Sequence, residues 1–166
     1  MVGALRGGGY VLFMRHAHAG LPTNICPGES SLTPQGEQQA NTVGAALRVL
    51  QIPIAAIRSS ETCRARQTAE LLGRGAVASD PDLNPVTLRK PVPEYAQQFK
   101  YLFEKPPAGS NILLVSHVQG SQKPAERIMI ELAEIAVFHM DAEGKVVAVA
   151  RIPPQAWDKL IRLARP

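Results

Sequence analysis

The 166-residue chain has a formal net charge of +4, with 45% hydrophobic, 19% charged and 5% aromatic residues. This composition favours one globular domain over residues 1–166 and argues against wholesale disorder. The basic residues are scattered and aromatic residues are few, so nucleic acid is not an expected partner. No apolar segment is long enough to span a bilayer, so no membrane is expected either. The small positive excess favours anionic ligands.

The first half of the chain alternates between apolar strands and amphipathic helices. Residues 10–14, YVLFM, predict a buried strand that ends at Arg15 and His16. A loop rich in Pro, Gly, Ser and Asn follows, and Thr33 with Pro34 is typical of a helix start. The further predictions, in chain order, are a loop over 20–33, a helix from there to Leu50, a strand over 54–60, a helix over 61–73 and a short edge strand over 76–79.

The second half continues the alternation and then changes to a hairpin. The predicted elements are a loop over 80–93, a short helix Glu94–Glu104, a strand over 111–117, a helix within 118–133, hairpin strands over 134–141 and 145–152, and a last helix over 157–164. Alternating strands and helices predict a mainly parallel sheet with helices on both faces. We therefore expect a three-layer α/β/α sandwich with a C-terminal antiparallel hairpin.

Charged and nucleophilic side chains lie at the ends of the predicted strands. Arg15 and His16 follow the first, Ser60 ends the second and His117 ends the strand over 111–117, while Arg64 lies in the first turn of a helix. Ligands bind beyond the carboxyl ends of such strands, so these residues should meet. Two guanidiniums match phosphate oxygens, one neutral imidazole can attack phosphorus, and the second can stabilise the transferring group. No cluster of Asp or Glu accompanies them, so we expect no metal and no other cofactor.

The chain carries four ordered segments, MRHAHAG, LTPQGEQQA, SSETCRARQTAELL and ILLVSH, and the residues above lie in three of them. With them the chain resembles the histidine phosphatase superfamily, also called phosphoglycerate-mutase-like. The resemblance implies a single histidine phosphatase-like domain and a phosphatase in which His16 is phosphorylated, with Arg15, Arg64 and His117 around the phosphate. Short members that it resembles are phosphohistidine phosphatases and lipopolysaccharide-core heptose phosphatases. The implied partner is therefore a phosphohistidine protein or a phosphorylated small molecule.

The proton donor for the leaving group is not visible in the sequence. Many members carry a Glu shortly after a Leu in the loop after the second helix, where this chain has Pro85. Others carry an Asp directly after the second histidine, where this chain has Val118. By their position in loops, three carboxylates are candidates for the role: Glu29, Asp82 and Glu94.

Two other functions stay open at this point. One is a phosphotransferase of the phosphoglycerate mutase type, although the segment between Arg64 and His117 leaves little chain for a lid that shields the phosphoenzyme. The other is an inactive module that binds a phosphorylated ligand, an alternative that the missing acid keeps open.

His18 and Ser60 are further candidates for substrate contacts. A structural role is the stronger expectation for His18, and a helix cap is equally expected for Ser60. We expect Cys26 and Cys63 to be unpaired, with a disulfide as the alternative that needs an oxidising compartment. Residues 1–13 make a poor secretory signal, which favours the cytoplasm, or the periplasm if an export signal has been removed. The sequence does not indicate an oligomeric state.

Overall fold

The computed structural model describes residues 1–85, 104–117 and 130–164. Its helices and strands, numbered in chain order, are α1 Val2–Gly7, β1 Tyr10–Arg15, α2 Pro34–Val49, β2 Ile54–Ser59, α3 Cys63–Leu71, β3 Val77–Ser79, β4 Asn111–Ser116, β5 Ile135–Met140, β6 Val146–Ile152 and α4 Trp157–Ala164. Short 3-10 turns cover Pro81–Leu83 and Pro154–Ala156.

Within these residues the strands form a six-stranded sheet in the order β3-β2-β4-β1-β5-β6. β3, β2, β4 and β1 are parallel, and the β5–β6 hairpin is antiparallel and joins the sheet through β1. The mainly parallel sheet, the edge position of β3 and the terminal hairpin are as predicted. Because Arg15 pairs with Ser116 and Ser59 with Val115, β1, β4 and β2 end at the same edge of the sheet.

Helix α2 starts where the sequence predicts. The Thr33 hydroxyl accepts a hydrogen bond from the N–H of Gly36 at 3.2 Å, and Pro34 occupies the first helical position. The cap satisfies one of the N–H groups that a helix start leaves without a partner. Gly36 itself packs against the loop after β1, since a Cβ there would overlap the carbonyl oxygen of His18. The glycine therefore lets α2 approach the segment that carries the two N-terminal histidines.

The core lies on both faces of the sheet. Alternate residues of β1 separate into two clusters, with Leu12 and Met14 packing towards α2, α3 and α4 and Val11 and Phe13 on the other face. The side chain of Trp157 is fully buried in the helix-facing cluster. This alternation is the period-2 pattern of a strand that is buried on both sides.

The sequence analysis predicts no element before β1, but Val2–Gly7 is helical. A helix is predicted within residues 118–133; residues 130–133 are not helical, and residues 118–129 lie outside the described residues. The predicted helix Glu94–Glu104 also lies outside them, apart from its last residue. None of the described helices is long and apolar enough to cross a membrane.

Candidate active site

Three turns meet where the neighbouring strands β1, β4 and β2 end. His16 follows β1, and its N–H donates to the carbonyl of Ser116 at 2.9 Å. Ser60 follows β2, and its N–H donates to the carbonyl of Val115 at 2.9 Å. His117 follows the central strand β4, and its ring centroid lies 5.1 Å from that of His16. The backbone register of the sheet thus brings together residues that are far apart in the chain.

Arg64, in the first turn of α3, contacts both imidazoles. Its Nε donates to Nε2 of His16 at 3.2 Å, and its Nη2 lies 3.3 Å from Nδ1 of His117. A guanidinium has donors but no acceptor, so both imidazole nitrogens accept. Two imidazole lone pairs and one fixed cation therefore share the same site.

His16 is held neutral. Burial is the main cause that lowers its pKa to about 4; the hydrogen bond to the carbonyl of Ala17 opposes this shift, and the charges of Arg64 and Arg15 add to it. Nδ1 lies 2.8 Å from the Ala17 carbonyl oxygen and must carry the hydrogen. The lone pair is therefore on Nε2, the nitrogen that faces Arg64. A neutral imidazole with a directed lone pair is a competent nucleophile at pH 7.

Arg15 lies at the end of β1 and is half-buried. Its Nη1 donates to the carbonyl of Ile130 at 3.1 Å, whereas its buried Nε has no acceptor within the described residues. Burial lowers the pKa of Arg15. Burial also lowers the pKa of Arg64; the charge of Glu29 opposes this shift, and the charge of Arg15 adds to it. Both groups remain cations at neutral pH. A buried donor without an acceptor is costly, so an anion that accepts from Arg15 Nε would be stabilised.

Side chains of α2 and α3 fix the loop that follows His16. The hydroxyl of Thr68 accepts from the N–H of Ala17 at 3.0 Å and donates to the carbonyl of Arg64 at 2.7 Å. The amide oxygen of Gln39 accepts from the N–H of His18 at 2.9 Å. Thr68 thereby ties the segment with the first histidine to the helix turn with Arg64.

Cys26 and Cys63 form a disulfide, which corrects the expectation that they are unpaired. The bond joins the 20–33 loop to the first residue of α3, directly before Arg64. The carboxylate of Glu29 in the same loop accepts from the N–H of Cys63 at 2.8 Å. The loop is thus attached to the start of α3 by a covalent bond and by a hydrogen bond. Sequence spacing could not reveal this pairing, because it depends on how the loop folds back.

Residues 11–88 match the family model of the histidine phosphatase superfamily (branch 1). The match covers just under half of the chain, and over these residues the sequence resembles the histidine phosphatase superfamily. Among solved structures, it is similar to the protein histidine phosphatase SixA complexed with tungstate, with 21% identity, a TM-score of 0.67 and coverage of 88% of this chain and 97% of that one. It is also similar to a phosphoserine phosphatase mutant from Entamoeba histolytica in complex with phosphoserine, with 16% identity, a TM-score of 0.56 and coverage of 88% and 98%. No curated protein matches the sequence significantly.

The other candidate residues from the sequence analysis differ in how they lie relative to the two imidazoles. His18 packs against the start of α2, with Nδ1 2.8 Å from the hydroxyl of Thr33. Glu29 is exposed and close enough to Arg64 to influence its pKa. Asp82 lies in the 3-10 turn after β3, with its N–H bonded to the side chain of Asp80. Glu94 and Val118 lie outside the described residues.

Ser60 and Asn84 lie behind His117. Ser60 is fully buried, and its hydroxyl is 2.9 Å from Nε2 of His117 and 2.8 Å from the amide oxygen of Asn84. The hydroxyl of Thr62 also approaches Nε2, at 3.2 Å. Sequence reasoning missed Asn84, because nothing in the chain between residues 60 and 84 signals that the loop returns to this turn.

Within the described residues no three His, Cys, Asp or Glu side chains are grouped to hold a metal ion.

Proposed function

We propose that this protein is a phosphatase that acts through a phosphohistidine on Nε2 of His16, with Arg15, Arg64 and His117 as the phosphate pocket. The observation that carries the proposal is the bridge that Arg64 makes between Nε2 of His16 and Nδ1 of His117, at 3.2 and 3.3 Å. A phosphoryl group in this space would accept from the guanidinium and lie against the nucleophilic lone pair. The family match over residues 11–88 supports the same reading.

The proposed reaction has two steps. Nε2 of His16 attacks phosphorus, the bond to the leaving group breaks, and Arg15 and Arg64 neutralise the charge on the phosphoryl oxygens. Water then attacks the phosphohistidine, the N–P bond breaks, and phosphate and neutral His16 are restored. The low pKa of His16, about 4, keeps the lone pair available at the start of each cycle. We propose that neither step needs a metal ion.

The substrate that we propose carries a leaving group that needs little protonation. Pro85 and Val118 stand where many relatives have an acid, and neither side chain can donate a proton. A phosphohistidine protein fits this requirement, because an imidazole leaves as a neutral or readily protonated group. SixA, a protein histidine phosphatase, has a similar fold, and so does a phosphoserine phosphatase. A small phosphate ester is therefore the other substrate class to test.

The test is to trap the phosphoenzyme in the presence of EDTA. The protein is mixed with p-nitrophenyl phosphate, quenched in alkali, where phosphohistidine is stable and acyl phosphates are not, and digested for mass spectrometry. We expect one phosphoryl group on the peptide with His16, together with steady release of p-nitrophenol. Turnover without a phosphorylated His16, or activity that disappears with EDTA and returns with a divalent ion, would contradict the proposal. Absence of both turnover and phosphoenzyme would favour a phospho-ligand binding module.

We also propose that the protein works in an oxidising compartment such as the periplasm. The Cys26–Cys63 disulfide supports this, because structural disulfides persist outside the reducing cytoplasm. The test is to quench growing cells in acid and to alkylate free thiols with a maleimide polymer. We expect the protein to resist alkylation until it is reduced. Two alkylated cysteines in untreated cells would place the protein in a reducing compartment.

A further inference from the structure

The hydroxyl group of Ser60 links Asn84 to His117. The amide of Asn84 has a defined orientation, because its Oδ1 accepts from the backbone N–H of Glu61 at 2.8 Å and its Nδ2 donates to the Glu61 carboxylate at 2.8 Å. The atom that faces Ser60 at 2.8 Å is therefore the amide oxygen, an acceptor.

The hydrogen of the Ser60 hydroxyl therefore points towards the amide oxygen of Asn84. Two oxygens 2.8 Å apart need a hydrogen between them, and an amide oxygen has none to give, so Ser60 donates to Asn84. The other contact that Ser60 could donate to, the hydroxyl of Thr62, is longer at 3.2 Å. The remaining two lone pairs of the Ser60 oxygen face the N–H of Thr62 at 3.2 Å and Nε2 of His117 at 2.9 Å.

His117 must then carry its hydrogen on Nε2, since Ser60 can only accept from it. A separate contact requires the same tautomer: Nδ1 lies 3.3 Å from Nη2 of Arg64, which can only donate. One contact on each side of the ring thus specifies a neutral His117 with hydrogen on Nε2 and a lone pair on Nδ1. The two histidines have opposite tautomers, because His16 carries its hydrogen on Nδ1.

We propose that Asn84 is a positioning residue that acts through Ser60 to hold the ring orientation and tautomer of His117. The proposal rests on the phosphatase function above and adds to it a group that reaches His117 through Ser60. Without Asn84, the Ser60 hydroxyl is free to rotate and to donate to Nε2, which favours the other tautomer. Nδ1 would then carry a hydrogen towards Arg64, and the two groups would repel each other. The loss would be felt in the phosphoryl-transfer step, where orientation matters most.

The first test observes the tautomer in the unaltered protein. Long-range ¹H–¹⁵N spectra separate protonated from unprotonated ring nitrogens, and the Ser60→Ala variant assigns the signals of His117. We expect Nε2–H in the ligand-free protein, and a pattern with the hydrogen on Nδ1 would overturn the proposal. This readout does not depend on turnover, so it distinguishes a failure of the positioning role from a failure of the phosphatase proposal.

The second test compares Asn84→Ala with the matched control Glu61→Gln, in which the side-chain oxygen can still accept from the Asn84 amide. For Asn84→Ala we expect the ¹⁵N signals of His117 to move towards a tautomer mixture, and kcat for p-nitrophenyl phosphate to fall about 10-fold with little change in KM, the effect of one hydrogen bond. For Glu61→Gln we expect the wild-type tautomer and kcat. An unchanged spectrum in a folded Asn84→Ala protein would overturn the proposal.

A double-mutant cycle keeps the proposal falsifiable if Asn84→Ala is poorly folded. Ser60→Ala removes the hydroxyl through which Asn84 acts, so Asn84→Ser in that background should lower kcat no further than Ser60→Ala does alone. In the wild-type background, Asn84→Ser should show its own loss. Additive losses in kcat would mean that Asn84 acts independently of Ser60, and would overturn the positioning role.

Discussion

Arg64 donates from Nε to Nε2 of His16 over 3.2 Å, which places a guanidinium against the lone pair of the proposed nucleophile. The contact fixes the imidazole in the orientation that a bound phosphoryl group would meet. We therefore expect His16→Ala to lower p-nitrophenyl phosphate turnover by about 10³-fold or more, because the variant lacks the attacking nitrogen. Initial rates with purified protein measure this effect.

A matched control uses the other end of β1. His139 pairs with Tyr10 at the start of that strand and is exposed, so His139→Asn should retain wild-type turnover. Thermal unfolding of His16→Ala should remain cooperative. A folded His16→Ala protein with near-normal turnover would refute the nucleophile assignment.

The pKa of His16 predicts how stability depends on pH. Above pH 6.5 the residue is neutral in both the folded and the unfolded chain, so it adds nothing to the pH dependence of the free energy of unfolding. Between pH 6.5 and about 4 the unfolded chain takes up a proton that the folded protein does not, because burial lowers the folded pKa to about 4. The free energy of unfolding should therefore fall by up to about 3 kcal/mol across this window, at about 1.4 kcal/mol per pH unit.

Urea unfolding from pH 7.5 to 4 measures this dependence. His16→Gln removes the titrating group, so the difference in unfolding free energy between wild type and this variant should change over the window. A difference that is independent of pH would mean that His16 titrates alike in both states. An NMR titration of His16 gives the folded pKa directly.

Reduction of the disulfide should lower the free energy of unfolding and loosen the attachment of the 20–33 loop to the start of α3. The bond closes a separation of 37 residues, for which the chain-entropy model gives about 4 kcal/mol. We expect dithiothreitol to lower the urea midpoint of the wild type, and Cys26→Ser/Cys63→Ser to show the lower midpoint without reductant. The double variant should not respond to dithiothreitol. Equal midpoints for the oxidised and reduced wild type would show that the bond adds no stability.

The activity should depend strongly on the leaving group. General acid catalysis is typically worth about 10²–10⁴-fold, and Pro85 and Val118 cannot supply it. We expect kcat/KM to fall steeply as the leaving-group pKa rises across aryl and alkyl phosphates, with a phosphohistidine peptide well above sugar phosphates. A flat dependence would point to an acid elsewhere, with Glu29, Asp82 and Glu94 the first to be replaced.

Glu29→Gln separates the charge of Glu29 from its hydrogen bond. The amide oxygen of Gln can still accept from the N–H of Cys63, but the negative charge near Arg64 is gone. We expect tungstate, used as a phosphate analogue, to bind about two- to fivefold more tightly at low ionic strength, because one repulsive charge is removed. Titration calorimetry at two salt concentrations measures this. Weaker binding, with a selective loss of alkyl phosphate turnover, would instead identify Glu29 as a proton donor.

Local patterns in the sequence were enough to predict the strands of the sheet and the positions of the reactive side chains along the chain. Apolar runs that end abruptly, as at Arg15-His16, are local signals, and so is the Thr33-Pro34 helix start. Because parallel strands present their carboxyl ends at one edge of a sheet, the sequence alone predicts that His16, His117 and Arg64 lie together. The short helix Val2–Gly7 escaped this reasoning, because its glycines argue against a helix whose Leu5 is buried in the core.

The groups that surround those side chains depend on the tertiary fold. The Cys26–Cys63 bond, the Glu29 contact to the N–H of Cys63 and the return of Asn84 to Ser60 all depend on the paths of loops. No periodic pattern encodes such paths, because loop conformation is set by distant contacts rather than by the alternation of apolar and polar residues. The tautomers of the two histidines also depend on the tertiary fold, because each is set by a hydrogen-bond partner that the fold supplies.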